Sequence, residues 1–403
     1  MTGSGTLADP YIIWDVNDLQ AVSNDLAAYY ELGCDIDASA TAGWNGGLGF
    51  LPIGLWVNWG VAVPPGPFTG CAGVNWKQTP FTGHFDGKGY SITGLVIHRT
   101  RILPPTTTCP DYHDVGLFSQ IVAGVVVRVV ENVHLINIDI DGYQSVGGLV
   151  GYAYGNATIT NCTSSGSVNA ENLGAGGLVG SAYSITIEDS SSSTTVTGDH
   201  EAGGLVGYAN TSTINDSYAT GNVTTVSTDA GGLIGEGVAV IYNRCFATGD
   251  VLAGTNYSGG LIGYSWGDTI SNCYARGNVT GNQYVGGLVG ILRGVAGLGT
   301  IENSYSTGLV IGVGLVGGLV GSSSGSSNGC FWDTQTSGQA ASGEGTGKTT
   351  SQMKTKSTFT DVGWDFSTIW GMRGVCNSGY PCLKNVTPLC VITPIVITNE
   401  AIQ

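Results

Sequence analysis

The chain has 403 residues, of which 67 are glycine and only 10% are charged. Its 13 basic and 29 acidic residues give a formal net charge of −16 at pH 7. This charge argues against nucleic acid, phosphate-rich glycans or an anionic membrane as partners, because those need a basic surface. No apolar run is long enough for a transmembrane helix, which needs roughly 18 residues or more, so we expect no membrane insertion.

Residues 1–114 are predicted to form an N-terminal cap and irregular first coils. Asp15 can cap a helix from about Val16 to Leu26, whose apolar side would cover the first coil. An open coil exposes unpaired strand edges, and such a cap would protect them.

The segment 57–110 interrupts the first coils and is rich in proline and tryptophan. Long loops on a regular scaffold often carry function, and aromatic rings offer large, rigid contact areas. Trp59 and Trp76 are therefore candidates for contact with a partner or glycan, although a purely protective cap explains the segment equally well. Cys71 and Cys109 bracket its proline-rich part and are a plausible disulfide pair.

Seven copies of Gly-Gly-Leu-(Val/Ile)-Gly dominate residues 115–325. They begin at Gly147, Gly176, Gly203, Gly231, Gly259, Gly286 and Gly317, at intervals of 29, 27, 28, 28, 27 and 31 residues. Each interval holds short runs rich in valine, isoleucine, threonine and tyrosine, bounded by turn residues, and no helical pattern. A propeller blade would need roughly 40–50 residues, so the period predicts an all-β protein, a parallel β-solenoid of about 28-residue coils.

The repeated glycines are predicted to make left-handed corners, while the leucine of each copy points into the core. A second repeated position holds a small residue, which is cysteine at 162, 245, 273 and 330 and serine at 190, 217 and 304. The exchange of cysteine with serine indicates a buried packing position rather than a reactive or disulfide-bonded thiol.

Residues 326–403 are predicted to form an irregular C-terminal cap around an aromatic cluster of Trp364, Phe366 and Trp370. Cys376 and Cys382 lie close together in this segment and are a second plausible disulfide pair. A metal site made by these thiols is less favoured, because no histidine is near and the CxxC spacing is missing.

The acidic pairs Asp35/Asp37 and Asp139/Asp141 are candidates for acid–base or calcium chemistry. Residues two apart on a strand share one face, so each pair could act in glycoside cleavage or bind Ca²⁺. Turn formation or a solvated face is the more common role of such pairs. We therefore predict no catalytic residue, no metal site and no cofactor.

These repeats resemble the GLUG motif family, found in large bacterial surface proteins and in virion-associated proteins. The resemblance extends to Phe81–Tyr90 before the regular repeats and to Cys330-Phe331-Trp332-Asp333 after them. It implies the β-solenoid fold and says almost nothing about chemistry, because the family is defined by its architecture.

Together these features favour a non-enzymatic extracellular structural or adhesion module that binds a receptor, a glycan or other copies of itself. A start at Met1 without a signal-peptide pattern favours a virion protein, of tail-fibre or decoration type. A bacterial cell-surface adhesin or filament subunit is the first alternative. A β-helical polysaccharide depolymerase or lyase is the second, and it is less favoured because the repeats hold few basic residues and short loops.

Overall fold

The computed structural model describes residues 1–57, 76–99, 113–123, 129–294, 297–372 and 377–386. Three long sheets run along a β-solenoid, and each coil contributes strands to all three over the regular repeats. Within these sheets the described strands pair in parallel with the preceding and following coils. The prediction of an all-β parallel solenoid is therefore confirmed.

Among the described residues, sheet 1 has eleven strands. They are Tyr11–Ile13, Tyr29–Leu32, His84–Asp86, Val129–Glu131, Thr158–Thr160, Thr186–Glu188, Thr213–Asn215, Ile241–Asn243, Thr269–Ser271, Thr300–Glu302 and Ser326–Asn328. Sheet 2 has eight strands in the part of the chain that the structure describes. They are Phe118–Val122, Val150–Tyr154, Val179–Tyr183, Val206–Asn210, Ile234–Val238, Ile262–Trp266, Val289–Arg293 and Val320–Ser323.

Sheet 3 lies on the remaining side of the coils, and its strands vary in length from two to 14 residues. They are Ile36–Asp37, Ser91–Thr93, Val96–His98, His113–Val115, His134–Gly142, Gln144–Gly147, Thr163–Gly176, Ser191–Ser192, Thr195–Gly203, Tyr218–Ala219, Val223–Thr225, Ala230–Gly231, Phe246–Ala247, Val251–Ala253, Asn256–Gly259, Tyr274–Ala275, Val279–Thr280, Gln283–Gly286, Tyr305–Ser306, Val310–Ile311, Val316–Gly317, Phe331–Asp333 and Thr346–Lys348. Eleven stacked strands in sheet 1 at a spacing of about 4.8 Å give a rod roughly 50 Å long.

The leucines of the glycine motif form one inward row, as predicted. Leu149, Leu178, Leu205, Leu233, Leu261, Leu288 and Leu319 are all fully buried. The register is constant between coils along sheet 2, for example with Val179 paired to Val150 on one side and to Val206 on the other. A shift by one residue would turn this row outward, so burial of the leucines fixes the stacking.

The repeated glycines do not adopt the left-handed conformation that we predicted. A Cβ atom at Gly147 would lie 2.3 Å from the carbonyl oxygen of Val150, and one at Gly148 would lie 2.5 Å from that of Gly177. The left-handed residue of this corner comes two positions earlier and is usually not glycine, as at Glu201 (φ 53°) and Asp229 (φ 62°). Glycine is therefore required here for close backbone packing, and the predicted conformational reason was wrong.

The predicted inward position of the cysteines is confirmed. Cys162, Cys245 and Cys273 are fully buried, and Cys330 is 3% exposed. All four are free thiols. Burial raises the pKa of Cys162 and of Cys330 to about 12, which makes both thiols unreactive at neutral pH.

The N-terminal capping helix forms where the sequence predicts it but ends earlier. The helix Val16–Ala21 begins after Asp15, whose Oδ1 accepts hydrogen bonds from the backbone N–H groups of Asn17 (2.8 Å) and Asp18 (2.9 Å). A 3₁₀ turn, Val22–Asn24, replaces the predicted last turns. Asp25 then accepts a hydrogen bond from the N–H of Ala27, which favours a turn over further helix.

Other elements of the N-terminal region are the 3₁₀ segment Ser39–Gly47 and an antiparallel pair made by Leu55–Val57 and Trp76–Gln78. The C-terminal segment holds the short helices Thr334–Ser337, Thr350–Met353 and Ser357–Thr360, the 3₁₀ turn Asn377–Gly379 and an antiparallel pair made by Trp370–Gly371 and Cys382–Leu383.

The C-terminal segment covers the last coil, as predicted. Ser342 Oγ accepts hydrogen bonds from the N–H groups of Leu319 (3.1 Å) and Val320 (2.9 Å), so the open edge of the solenoid is satisfied there. The strand Thr346–Lys348 continues sheet 3 by pairing with Phe331–Asp333.

The same segment also covers one side of the solenoid, which the sequence did not predict. Phe246, Tyr274 and Tyr305 stack outside the coils, with ring centroids 4.8 and 5.2 Å apart. Trp364 and Trp370 of the C-terminal segment pack onto this stack and form a second hydrophobic cluster with it. The hydroxyl of Tyr305 donates a 2.5 Å hydrogen bond to the carbonyl of Pro381, which ties the two parts together.

Candidate functional site

Most residues that we singled out in the insertion lie outside the described part of the chain. This holds for Trp59, Cys71 and Cys109, and for the side chain of Trp76, whose backbone begins the strand Trp76–Gln78. Their roles in binding and in a disulfide remain predictions.

The second predicted disulfide is also untested. Cys376 lies outside the described residues, whereas Cys382 is in a strand. The Cys376–Cys382 pairing therefore remains a prediction.

Asp35 and Asp37 have local structural roles. Asp35 Oδ1 accepts hydrogen bonds from the N–H (2.8 Å) and the hydroxyl (3.0 Å) of Ser91 in the next coil, and Asp37 Oδ1 accepts one from the N–H of Ser39. These bonds hold the pKa of both carboxyl groups below the usual value. The two aspartates stabilise a turn and a coil contact, as the more common interpretation predicts.

Asp139 and Asp141 lie beside a histidine on the outer face of sheet 3. Asp141 is directly opposite His98 in the strand pairing, and Asp139 is opposite Val96. His98 Nε2 lies 3.2 Å from Asp139 Oδ2 and 3.6 Å from Asp141 Oδ2. These three side chains are the only group in the described part of the chain with the geometry of a metal site.

Neighbouring residues of the next coil hold this group in place. The Ser167 hydroxyl donates a 3.0 Å hydrogen bond to Asp139 Oδ1. Burial raises the pKa of Asp141, while His98 and a hydrogen bond from Asn169 oppose the rise. Both aspartates sit on one side of one strand, whereas an acid and a base for glycoside cleavage must flank the scissile bond. The arrangement suits ion binding better than acid–base catalysis.

A row of tyrosines forms a second candidate site on the outer face of sheet 2 and at its corner with sheet 3, where Tyr257 and Tyr284 lie. The rings of Tyr152 and Tyr183 lie 5.1 Å apart, and those of Tyr183 and Tyr208 lie 5.2 Å apart. Further along the rod, the ring of Tyr257 contacts those of Tyr264 (5.2 Å) and Tyr284 (5.0 Å). All six rings are half-buried, so each shows an edge or a face to solvent.

Three carboxyl groups lie between the two groups of tyrosines. Glu236 pairs in register with Tyr208 on one side and Tyr264 on the other. Glu201 and Asp229 occupy left-handed corner positions of successive coils, next to this strand row. We call these three carboxyl groups and the six tyrosines the tyrosine–carboxyl face.

The carboxyl groups of this face are poorly solvated and repel one another. Burial, with added repulsion from Glu236 and Asp229, raises the pKa of Glu201 to about 8. Burial also raises the pKa of Glu236 to about 7 and that of Asp229 to about 6. Asp229 Oδ2 accepts a 2.7 Å hydrogen bond from Thr228, but its buried Oδ1 has no hydrogen-bond partner among the described residues. Strongly perturbed groups of this kind often mark functional sites.

Two depressions on the described surface contain no carboxylate. One is a groove of about 290 Å³ lined chiefly by serines and threonines, with Tyr218 at one end. The other, of about 450 Å³, lies against the N-terminal helix and Trp44. Neither offers the pair of carboxyl groups that a glycoside hydrolase needs. No helix in the described residues is long and apolar enough to cross a membrane.

Comparisons with known proteins find relatives over parts of this chain. A fragment of 187 residues, 45% of this chain, is 34% identical to Halomucin of Haloquadratum walsbyi but covers only 2% of that protein. A stretch of 51 residues, 13% of the chain, is 49% identical to a protein of Evansella cellulosilytica provisionally named a Gly-rich membrane protein, of which it covers 6%. The chain thus spans only a small part of these relatives.

A solved structure from Bacteroides ovatus, provisionally named an immunoglobulin A1 protease, aligns with 95% of this chain and 94% of its own at 17% identity and a TM-score of 0.49. A similarity at this level carries no functional argument. The model of the GLUG motif matches residues 142–169, 198–224 and 254–280. The predicted resemblance is confirmed: the chain is a β-solenoid that carries GLUG-motif repeats.

Proposed function

We propose that this chain is a non-enzymatic, surface-associated module that binds a glycan through its tyrosine–carboxyl face. The observation that carries the proposal is the row of half-buried tyrosines along sheet 2, with carboxyl groups placed between them. The strands beneath hold the rings at a fixed spacing, so little conformational entropy is lost when a ligand binds.

The chemistry of the face favours a neutral or amino-bearing glycan. Tyrosine rings pack against the apolar faces of sugar rings, and their hydroxyl groups can hydrogen-bond to the same ligand. Carboxyl groups such as Glu236 accept hydrogen bonds from sugar hydroxyls or pair with an ammonium group. An acidic glycan would be repelled by these groups and by the net charge of −16.

Surface association is supported by the names of the two relatives, which denote a mucin and a membrane protein. The finer prediction of a virion tail fibre or decoration protein remains a prediction, because neither relative is named as a virion protein. Antibody labelling of intact source cells, compared with labelling of virions from the same culture, distinguishes the two locations.

A glycan array followed by calorimetry on the best ligand tests the binding. We expect the double substitution Tyr152→Ala with Tyr183→Ala to weaken binding at least tenfold. Tyr90→Ala removes a 39% exposed tyrosine elsewhere and is the matched control, which should bind as the wild type does. Equal binding by all three proteins, or binding restricted to acidic glycans, would contradict the proposal.

A further inference from the structure

We propose that His98, Asp139 and Asp141 form a binding site for a divalent transition-metal ion of the Zn²⁺ class. This inference does not depend on the glycan-binding function, because none of these three side chains belongs to the tyrosine–carboxyl face.

The distances between the ligand atoms match those around a small metal ion. Bonds of about 2.0–2.1 Å from zinc to nitrogen or oxygen, at tetrahedral angles, place neighbouring ligand atoms roughly 3.3–3.5 Å apart. His98 Nε2 lies 3.2 Å from Asp139 Oδ2 and 3.6 Å from Asp141 Oδ2. All three ligand atoms lie within 4.8 Å of one another. An ion could therefore be bound by these side chains, which already converge, after they rearrange slightly.

The backbone places these side chains before any ion binds. Asp139 and Asp141 are two residues apart on one strand, so both project from the same face of sheet 3. His98 projects from the neighbouring strand at the position opposite Asp141. The N–H group of His98 donates a 2.9 Å hydrogen bond to the carbonyl of Leu48, which fixes the end of its strand.

Residues around the three ligands would orient them further. The hydroxyl of Ser167 donates to Asp139 Oδ1, which leaves Oδ2 directed toward the histidine. Asn169 of the next coil lies directly opposite Asp141 in the strand pairing. Outer contacts of this kind typically fix ligand orientation and raise metal affinity.

The set of ligands selects the class of ion. Imidazole nitrogen is a good ligand for Zn²⁺ and its neighbours in the transition series, whereas Ca²⁺ prefers six to eight oxygen ligands. Three protein ligands also leave a position open for water or for a group from a binding partner. That position is accessible, because the side chain of Asp139 is 54% exposed. The sequence alone allowed Ca²⁺ binding at Asp139 and Asp141, and the histidine ligand now disfavours it there.

The alternative is a simple ion bridge between a protonated His98 and the two aspartates. Calorimetric titration of untagged, metal-free protein with ZnCl₂ separates the two. We expect one additional zinc site in the wild type relative to His98→Gln and to the double variant Asp139→Asn with Asp141→Asn. Affinity at this site should fall at least tenfold in both variants.

Asp250→Asn is the matched control. Asp250 is exposed in the turn before the strand Val251–Ala253, and Asn222 and Asn278 flank it at the same position in adjacent coils, so asparagine fits there. It should bind zinc as the wild type does. Circular dichroism confirms that each variant is folded.

Titration with Co²⁺ gives a second readout, the visible absorption of the ion bound to nitrogen and oxygen ligands. This absorption should be lost in His98→Gln and kept in Asp250→Asn. Identical zinc binding and cobalt spectra in all four proteins would show that the three side chains form only an ion bridge. This result would overturn the proposal. Binding of Ca²⁺ as tight as that of Zn²⁺ would overturn the assigned class of ion.

Discussion

The carboxyl groups of the tyrosine–carboxyl face should make the solenoid less stable as the pH rises from about 4 to 8. Glu201 is the strongest case, because burial raises its pKa from 4.5 to about 8. The native state then binds a proton that the unfolded chain releases, so the free energy of unfolding decreases with increasing pH in this window. Its stabilising contribution is complete below about pH 4 and lost above about pH 8.

The size of the effect follows from the shift in pKa. One pKa unit corresponds to about 1.4 kcal/mol, so the change at Glu201 is at most about 4–5 kcal/mol. Asp229, whose pKa rises to about 6, and Glu236, whose pKa rises to about 7, act in the same direction over narrower windows. The three groups interact, so their contributions do not add, and we expect a total loss of a few kcal/mol.

Urea unfolding between pH 4 and 9, followed by tryptophan fluorescence, measures this loss. Glu201→Gln keeps the shape of the side chain but cannot ionise, so its midpoint should depend less on pH and exceed that of the wild type at pH 8. His200, Tyr183 and Tyr208 lie near the same cluster and are unchanged by the substitution. The surface substitution Asp250→Asn should leave the wild-type slope intact. If the wild type becomes more stable between pH 5 and 8, or if Glu201→Gln retains the full slope, the reasoning fails.

Three further experiments test the core and the insertion. Leu233→Ala should destabilise the protein by about 2–5 kcal/mol in chemical unfolding, whereas Val313→Ala, at a side chain 84% exposed, should change little. Cys245→Ser should cost no more than about 1–2 kcal/mol, and a thiol reagent should fail to label Cys245 in the folded state. Replacing both Trp59 and Trp76 with alanine should weaken partner binding in a pull-down and leave the melting temperature unchanged. A lower melting temperature with intact binding would show that they only stabilise the N-terminal cap.

The fold could be predicted because a solenoid repeats the same physical problem in every coil. The leucine two positions after the start of each glycine pair, as at Leu149 and Leu178, must be buried, and the near-constant interval then fixes parallel, in-register stacking. The reason why glycine is required at each corner could not be predicted in the same way. A left-handed corner and close backbone contact both favour glycine. Only the structure shows that close backbone contact is the reason at Gly147.

The candidate sites were partly predictable. Asp139 and Asp141 were visible as a pair on one strand, but His98 lies 41 residues before Asp139, an interval far from the coil period. Part of the tyrosine row could have been predicted by aligning the repeats. Tyr152, Tyr208 and Tyr264 each follow the first glycine of their motif by five residues. The pKa of Glu201 had no such signal, because it depends on burial between coils.

The side of the solenoid under the C-terminal segment shows a second feature that the repeat period cannot predict. The aromatic residues Phe246, Tyr274 and Tyr305 recur in phase, and a repeat pattern alone predicts that they form an exposed stack. They are instead buried, because Trp364 and Trp370 return along the side of the rod and pack against them. The segment that covers them is not a repeat, so its path could not be inferred from the period.

At one inward position of the solenoid, a coil holds a larger side chain than its neighbours. A smaller residue nearby compensates for the added volume. Tyr242 pairs with Ile214 and Ile270, so a larger side chain replaces isoleucine at this inward position. Gly237 stands where Ala209 and Ser265 stand in the adjacent coils. A Cβ atom at Gly237 would lie 2.2 Å from the Tyr242 hydroxyl, so the missing methyl group makes room for the ring. Close packing thus fixes the volume of each coil rather than the identity of each residue. Selection for recognition can therefore act on the outward positions, where coils differ in charge and aromatic content without a cost in packing.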